Sequence, residues 1–215
     1  MHPADVLDDG EMHVGAGVGV VAPMPDAERA DGAAGAESRI ALPAGFGAEA
    51  QIRRGFGSGW EAGLRAGPGT FGLDGRLRLL GTRKWLLTAG MGFAATLLPA
   101  MLVDDVRRYD LDSGSRLEGQ AEILFGRNWS DVLRLWIGPR LSAGRFSISG
   151  VEPGTDLESN VAHDQSGTTG FAGGTLGIAT GYRYIHAFAE LAAAQTFGAE
   201  KAFVIAPAFG LWARF

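Results

Sequence analysis

Few residues of this chain have types and spacings suited to chemistry. Asp104 and Asp105 sit together in one polar stretch and His163 and Asp164 in another. Carboxylates beside a histidine are the set that can activate water for hydrolysis. Each pair is adjacent in sequence, and in that arrangement both read as solvated loop charges. His2, His13 and His186 show no metal-ligand spacing. The chain has no cysteine, which removes disulfides, thiolate metal sites and cysteine nucleophiles. Gly67, Gly69 and Gly72 match G-x-G-x-x-G, but a dinucleotide site needs a helix to follow, and this one encloses Pro68 and reads as a hairpin. Asn128-Trp129-Ser130 reads as a turn. No cofactor and no metal is expected from these residues.

The elements that would position such groups are strands. The last stretch, Ala202 to Phe215, places Phe203, Ile205, Phe209, Leu211, Ala213 and Phe215 on one side of a period-2 pattern. Ala202, Ala206, Ala208, Gly210 and Arg214 fall on the other side. An apolar terminal strand with a free edge invites aggregation, so a partner must close that edge. Gly10 to Ala22 alternates as cleanly and is the partner expected for it.

Between these two, alternation recurs over 39–53, 60–66, 71–79, 116–125, 132–143 and 168–183. It weakens over 185–194, where a helix is the alternative. Trp85 to Val103 carries no charge and is long enough for a transmembrane helix, but Gly90, Gly92 and Pro99 weaken a helix and its residues still alternate. The reading is therefore all-β: a closed antiparallel up-and-down transmembrane barrel of about ten strands, with eight as the fallback. Residues 1–9 are expected to form an N-terminal periplasmic segment and residues 10–215 the transmembrane barrel. Glycine, at 34 of 215 residues, is roughly twice its usual share of about 7% and suits curved sheet and tight turns. A net charge of -5 disfavours nucleic-acid binding.

Turns near 54–59, 81–84, 126–131 and 184–185 are short, while long loops begin at Pro23, Pro99 and Gly144. In an up-and-down barrel these two sets lie at opposite rims. Phe56, Trp60, Trp85, Trp129, Tyr182, Tyr184, Trp212 and Phe215 map to the short-turn rim, at the depth of lipid headgroups, and Trp136 does not. Phe71, Phe171, Phe197 and Phe203 form a looser second girdle. The polar stripes carry Glu49, Arg53, Glu61, Arg65, Asp74, Arg76, Arg78, Glu118, Gln120, Glu122, Arg134, Arg140 and Glu190. These would line the lumen and pair across it, since an unpaired charge in a poorly hydrated space costs several kcal/mol.

With these strands, turns and aromatics together, the chain resembles the small β-barrel proteins of Gram-negative outer membranes from Gly10 to Phe215. The resemblance implies a location in the bacterial outer membrane after removal of a signal peptide. It also implies contact with outer-membrane lipid and lipopolysaccharide, and a terminal aromatic strand read by the barrel assembly machinery. Phe215, with Phe209 and Leu211 on the same face, matches that signal. A monomer is expected, of structural, adhesin-like or narrow-pore type, with a largely plugged polar lumen. Asp104, Asp105, His163 and Asp164 resemble the catalytic set of omptin-type outer-membrane proteases in residue type, though that family spaces the partners by one residue. A hydrolase or lipid-modifying enzyme at the extracellular rim is thus the first alternative, and a soluble closed barrel that binds small ligands the second. Glu152, Asp156, Glu158 and Asp164 form an acidic stretch without Lys or Arg, for which divalent-cation or lipopolysaccharide bridging is conceivable.

Overall fold

A computed structural model describes residues 6–24, 45–82, 84–99, 110–129, 132–152, 161–198 and 202–215. Ten strands run in chain order: β1 (Met12–Met24), β2 (Gly45–Gly55), β3 (Trp60–Gly67), β4 (Thr70–Gly81), β5 (Trp85–Pro99), β6 (Asp110–Trp129), β7 (Leu133–Glu152), β8 (Val161–Tyr182), β9 (Ile185–Gly198) and β10 (Phe203–Arg214). Each pairs antiparallel with its sequence neighbour, and β1 pairs with β10, so the sheet closes into a barrel. Closure is what disposes of the free edge of an apolar terminal strand. At the seam the Met12 N–H donates to the Phe215 carbonyl at 3.0 Å and the Phe215 N–H returns to Met12 at 2.9 Å. Both ends of the barrel chain therefore lie at one rim, that of the short turns.

The uncharged stretch beginning at Trp85 is strand β5, and the weakly alternating 185–194 lies within strand β9. No helix among the described residues is long and apolar enough to cross a membrane. The first residues of the expected second strand, 39–44, lie outside the described residues, as do 100–103.

Two expected loops are shorter than their composition suggests. Strand β6 begins at Asp110, not after Ser115, and β7 and β8 continue through residues 144–152 and 161–167. Those residues are rich in Ser and Gly, which read as loop. Their ladder, from Gly144↔Thr169 to Glu152↔Val161, supplies each backbone with a partner, and pairing overrides so weak a propensity. The barrel is consequently lopsided. Strands β6, β7 and β8 have 20, 20 and 22 residues against 8 in β3. About 9–11 residues suffice to cross a bilayer, so the β6–β8 wall extends well past what crossing needs.

Candidate functional site: the charged interior

Alternation along each strand sends apolar side chains outward and charged ones inward, the reverse of a soluble barrel. Met91, Phe93, Leu97 and Leu117 are all more than 60% exposed, while Arg53, Glu61, Arg76 and Glu190 are no more than 4% exposed. No hydrophobic core accounts for that outward belt; an apolar surroundings does.

Inside, ion pairs run from strand to strand. Near one wall Arg53 of β2 meets Glu61 of β3 at 2.8 Å and also contacts Asp74 of β4. The longer series starts at Arg76 of β4, whose Nε and Nη2 lie 3.0 and 2.9 Å from Glu122 Oε1 on β6. The other oxygen of Glu122 accepts from Nε and Nη2 of Arg140 on β7, at 3.2 and 3.0 Å. Arg140 Nη1 then reaches Glu190 Oε1 on β9 at 3.1 Å, and Trp136 Nε1 donates to Glu190 Oε2 at 3.1 Å. In the ring order β4 and β9 stand diametrically opposite.

The remaining polar stripe residues are placed less centrally. Arg65 lies 3.8 Å from Glu49 and Arg116 lies 2.6 Å from Glu118. Gln120 is half-buried, and Arg134 is buried with its guanidinium 5.1 Å from the centroid of Trp212. Arg78 donates to the Val6 carbonyl at 2.7 Å.

Trp212 does not belong to the aromatic girdle. It is 3% exposed, stacks on His186 at 4.0 Å and meets His13 edge-on at 4.6 Å. Its position along β10 suggested the rim, but it shares the parity of Ala208, Gly210 and Arg214, and parity sets the face. With Leu124, Trp136, Ala179 and Phe188 it forms an apolar cluster inside the β6–β10 half of the barrel. Trp60, Trp85, Trp129, Tyr182, Tyr184 and Phe215 stand on the outer face at the short-turn rim and are exposed. Phe209 and Leu211 are likewise outward and exposed. Of the second girdle, Phe71, Phe197 and Phe203 are exposed and Phe171 is half-buried.

Two interior features escape sequence reasoning. Residues 6–8 fold into the short-turn mouth of the barrel. Val6 and Leu7 are buried, and the Leu7 N–H donates to Glu61 Oε2 at 2.8 Å. The strap crosses β2 where a Cβ on Gly55 would come within 2.0 Å of the Asp8 carbonyl, so glycine is required there. Just past the strap, Glu11 accepts from Arg214 Nε at 3.1 Å and from the Asp8 N–H at 2.8 Å. Burial pushes the Glu11 carboxyl up, but these bonds and the Arg214 and Arg134 charges outweigh it and hold the group below the ordinary carboxylate range.

Glycine density has a second origin beyond turns. Gly177 lies opposite Trp136, and a Cβ there would fall 2.0 Å from the indole; Gly210 leaves room in the same way for the Phe188 ring. Inward glycines thus accommodate inward bulk in a narrow bore.

Of the candidate hydrolytic residues, Asp104 and Asp105 lie outside the described residues, as do Asp156 and Glu158. His163 and Asp164 are consecutive positions of β8, in register with Gly150 and Ser149 of β7. Glu152 is the last residue of β7. Among the described residues no group of three or more His, Asp or Glu could hold a metal ion.

A closed antiparallel barrel with an apolar exterior and a charged interior defines the class: an up-and-down transmembrane β-barrel. Among solved structures the chain is similar to outer-membrane β-barrels. One is Ail, the attachment invasion locus protein of Yersinia pestis, at 12% identity and TM-score 0.40 over 96% of this chain and 99% of that one. Another is Neisserial surface protein A, at 10% identity and TM-score 0.40 over 95% and 94%. A third is the N-terminal β-barrel domain of Pseudomonas aeruginosa OprF, at 11% identity and TM-score 0.35 over 97% and 100%. No protein-family model and no curated protein matches the chain. Identities this low carry no functional information, and the class rests on the barrel itself.

Proposed function

We propose that this chain is a monomeric protein of the bacterial outer membrane, of structural or adhesin-like type, whose lumen holds no open pore. The observation that carries the reading is the series Arg76–Glu122–Arg140–Glu190, which links opposite walls of the ring through charge-assisted hydrogen bonds. Trp136, Phe188 and Trp212 fill the space beside it, and Val6 and Leu7 occupy the short-turn mouth. An ion would have to displace buried, paired charges to pass. In planar bilayers the purified protein is expected to be electrically silent across physiological potentials; a steady open level in most insertions would overturn the reading.

The tall β6–β8 wall supports surface presentation. Above the level of the β3–β4 turn its residues include Asp110, Ser113, Ser115, Ser147, Ser149, Gln165 and Ser166, a composition for water and not for hydrocarbon. In this reading the long connections lie outside, in contact with lipopolysaccharide, and the short turns face the periplasm.

In this reading Phe215, with Phe209 and Leu211, carries the strand signal recognised by the barrel assembly machinery. Phe215 is 71% exposed, and its backbone holds the seam to Met12. Deleting it is expected to lower the amount of barrel recovered from membranes several-fold, while the truncated chain refolded in detergent keeps its β-sheet circular dichroism. Normal recovery of the truncated chain from membranes would remove this role.

A further inference from the structure

The interior arginines Arg53, Arg65, Arg76 and Arg140 each have a carboxylate within ion-pair distance. On the outer face of the short-turn rim the arrangement differs: three arginines lie against aromatic rings, and among the described residues no carboxylate pairs with any of them. Arg127 of β6 is held between Trp85 and Trp129, its guanidinium carbon 4.4 Å from each ring centroid. Trp85 is itself braced by Phe125, stacked at 5.2 Å. Arg54 lies 5.9 Å from Phe56, which stacks on Trp60 at 4.4 Å, and Arg183 lies 5.2 Å from Tyr182.

Lys84 immediately precedes Trp85, is exposed, and has its carbonyl tied to the Asn128 N–H at 2.9 Å. A second cation thereby starts from backbone bonded directly beside Arg127. A guanidinium clamped by two indole faces keeps its N–H edge free, and that edge matches the paired oxygens of a phosphate. The rings stand at the depth where headgroups lie. Among the described residues no carboxylate pairs with either of these neighbouring cations, which leaves the counter-charge to the surroundings.

We propose that Trp85, Arg127, Trp129 and Lys84 form a binding site for the phosphate of an anionic phospholipid in the leaflet at this rim. Arg54 and Arg183 make weaker contacts of the same kind around the girdle. A zwitterionic lipid is the poorer ligand, because its own ammonium would be brought up to Lys84 and Arg127. The inference rests on the membrane reading above and adds a lipid preference to it.

The test is quenching of tryptophan fluorescence in vesicles of phosphatidylcholine that contain acyl-brominated phosphatidylglycerol or acyl-brominated phosphatidylcholine. The ratio of the two quenching curves gives a relative binding constant. For the wild type the anionic lipid is expected to be favoured roughly fivefold, the factor that about 1 kcal/mol for one near-surface cation represents. Arg127→Gln should bring the ratio close to one, and Arg127→Lys, which keeps the charge but loses the planar fork that stacks on the indoles, should keep only part of the preference. In about 1 M salt, where the Debye length shrinks to about 3 Å, the wild-type ratio should fall as well. Far-UV circular dichroism establishes that each variant is folded. A wild-type ratio near one, or an unchanged ratio in folded Arg127→Gln, overturns the site while leaving the membrane reading standing. Failure of the wild type to insert into either vesicle overturns both.

Discussion

Replacing Glu122 by alanine is expected to destabilise the folded barrel by about 3–5 kcal/mol, the usual cost of removing one partner from a buried ion pair. One carboxylate serves two guanidinium groups here, Arg76 through one oxygen and Arg140 through the other. The Arg76 side chain is only 2% exposed, so its loss of Glu122 leaves a cation that water cannot reach. Urea unfolding in lipid vesicles, followed by tryptophan fluorescence, gives the change directly. A companion variant separates the penalty of removing one carboxylate from buried arginines from the worth of the network itself. Arg76→Met, Glu122→Leu, Arg140→Met and Glu190→Gln together should recover most of the stability, since uncharged replacement of a whole buried cluster is often neutral or better and the glutamine still accepts from Trp136. A Glu122→Ala barrel within about 1 kcal/mol of wild type would mean that the interior is far more hydrated than its burial indicates.

Gly177→Ala should cost on the order of 3 kcal/mol although it adds a single methyl group. The new Cβ would stand 2.0 Å from the Trp136 ring, and the clash is with a rigid indole, not the far end of a flexible chain. Overpacking of a filled interior costs about 1–3 kcal/mol. Trp136 must also swing away from Glu190, giving up a hydrogen bond to a charged group worth about 1.5–3 kcal/mol. Pairing the change with Trp136→Ala provides the decisive comparison. If the indole is what Gly177 accommodates, the double variant will be more stable than the sum of the two single effects predicts. Strict additivity would place the strain elsewhere. Near-UV circular dichroism should lose the signal of a fixed buried indole in Gly177→Ala.

Both effects concern contacts that the chain's alternation does not reveal, whereas much of the rest was legible. The ten strands, the seam between the first and last, and the outward face of residues such as Leu73, Phe93, Ile137 and Phe209 follow from a two-residue period. Trp212 shows that parity is the stronger rule. Nearness to the rim pointed to the girdle, yet its alternation with Leu211 and Ala213 places it inside. The polar upper reaches of β6, β7 and β8 escaped because Gly and Asp are depleted in strands and Ser does little to mark one. Their order comes from a neighbour's hydrogen bonds, which a single stretch of sequence does not display.

By itself, the sequence determined which face each strand residue takes and that the last strand must meet the first, because side-chain alternation and unsatisfied edges are properties of a few consecutive residues. Only the tertiary structure decided the partners. Arg76 finds Glu122 46 residues away, Arg140 finds Glu190 50 away, and Leu7 reaches Glu61 across 54. Such choices depend on ring order, register and the width of the bore, which no local period encodes. The same holds for Gly177 beneath Trp136 and for Arg127 between Trp85 and Trp129, where neighbouring strands must first be aligned before either fit exists.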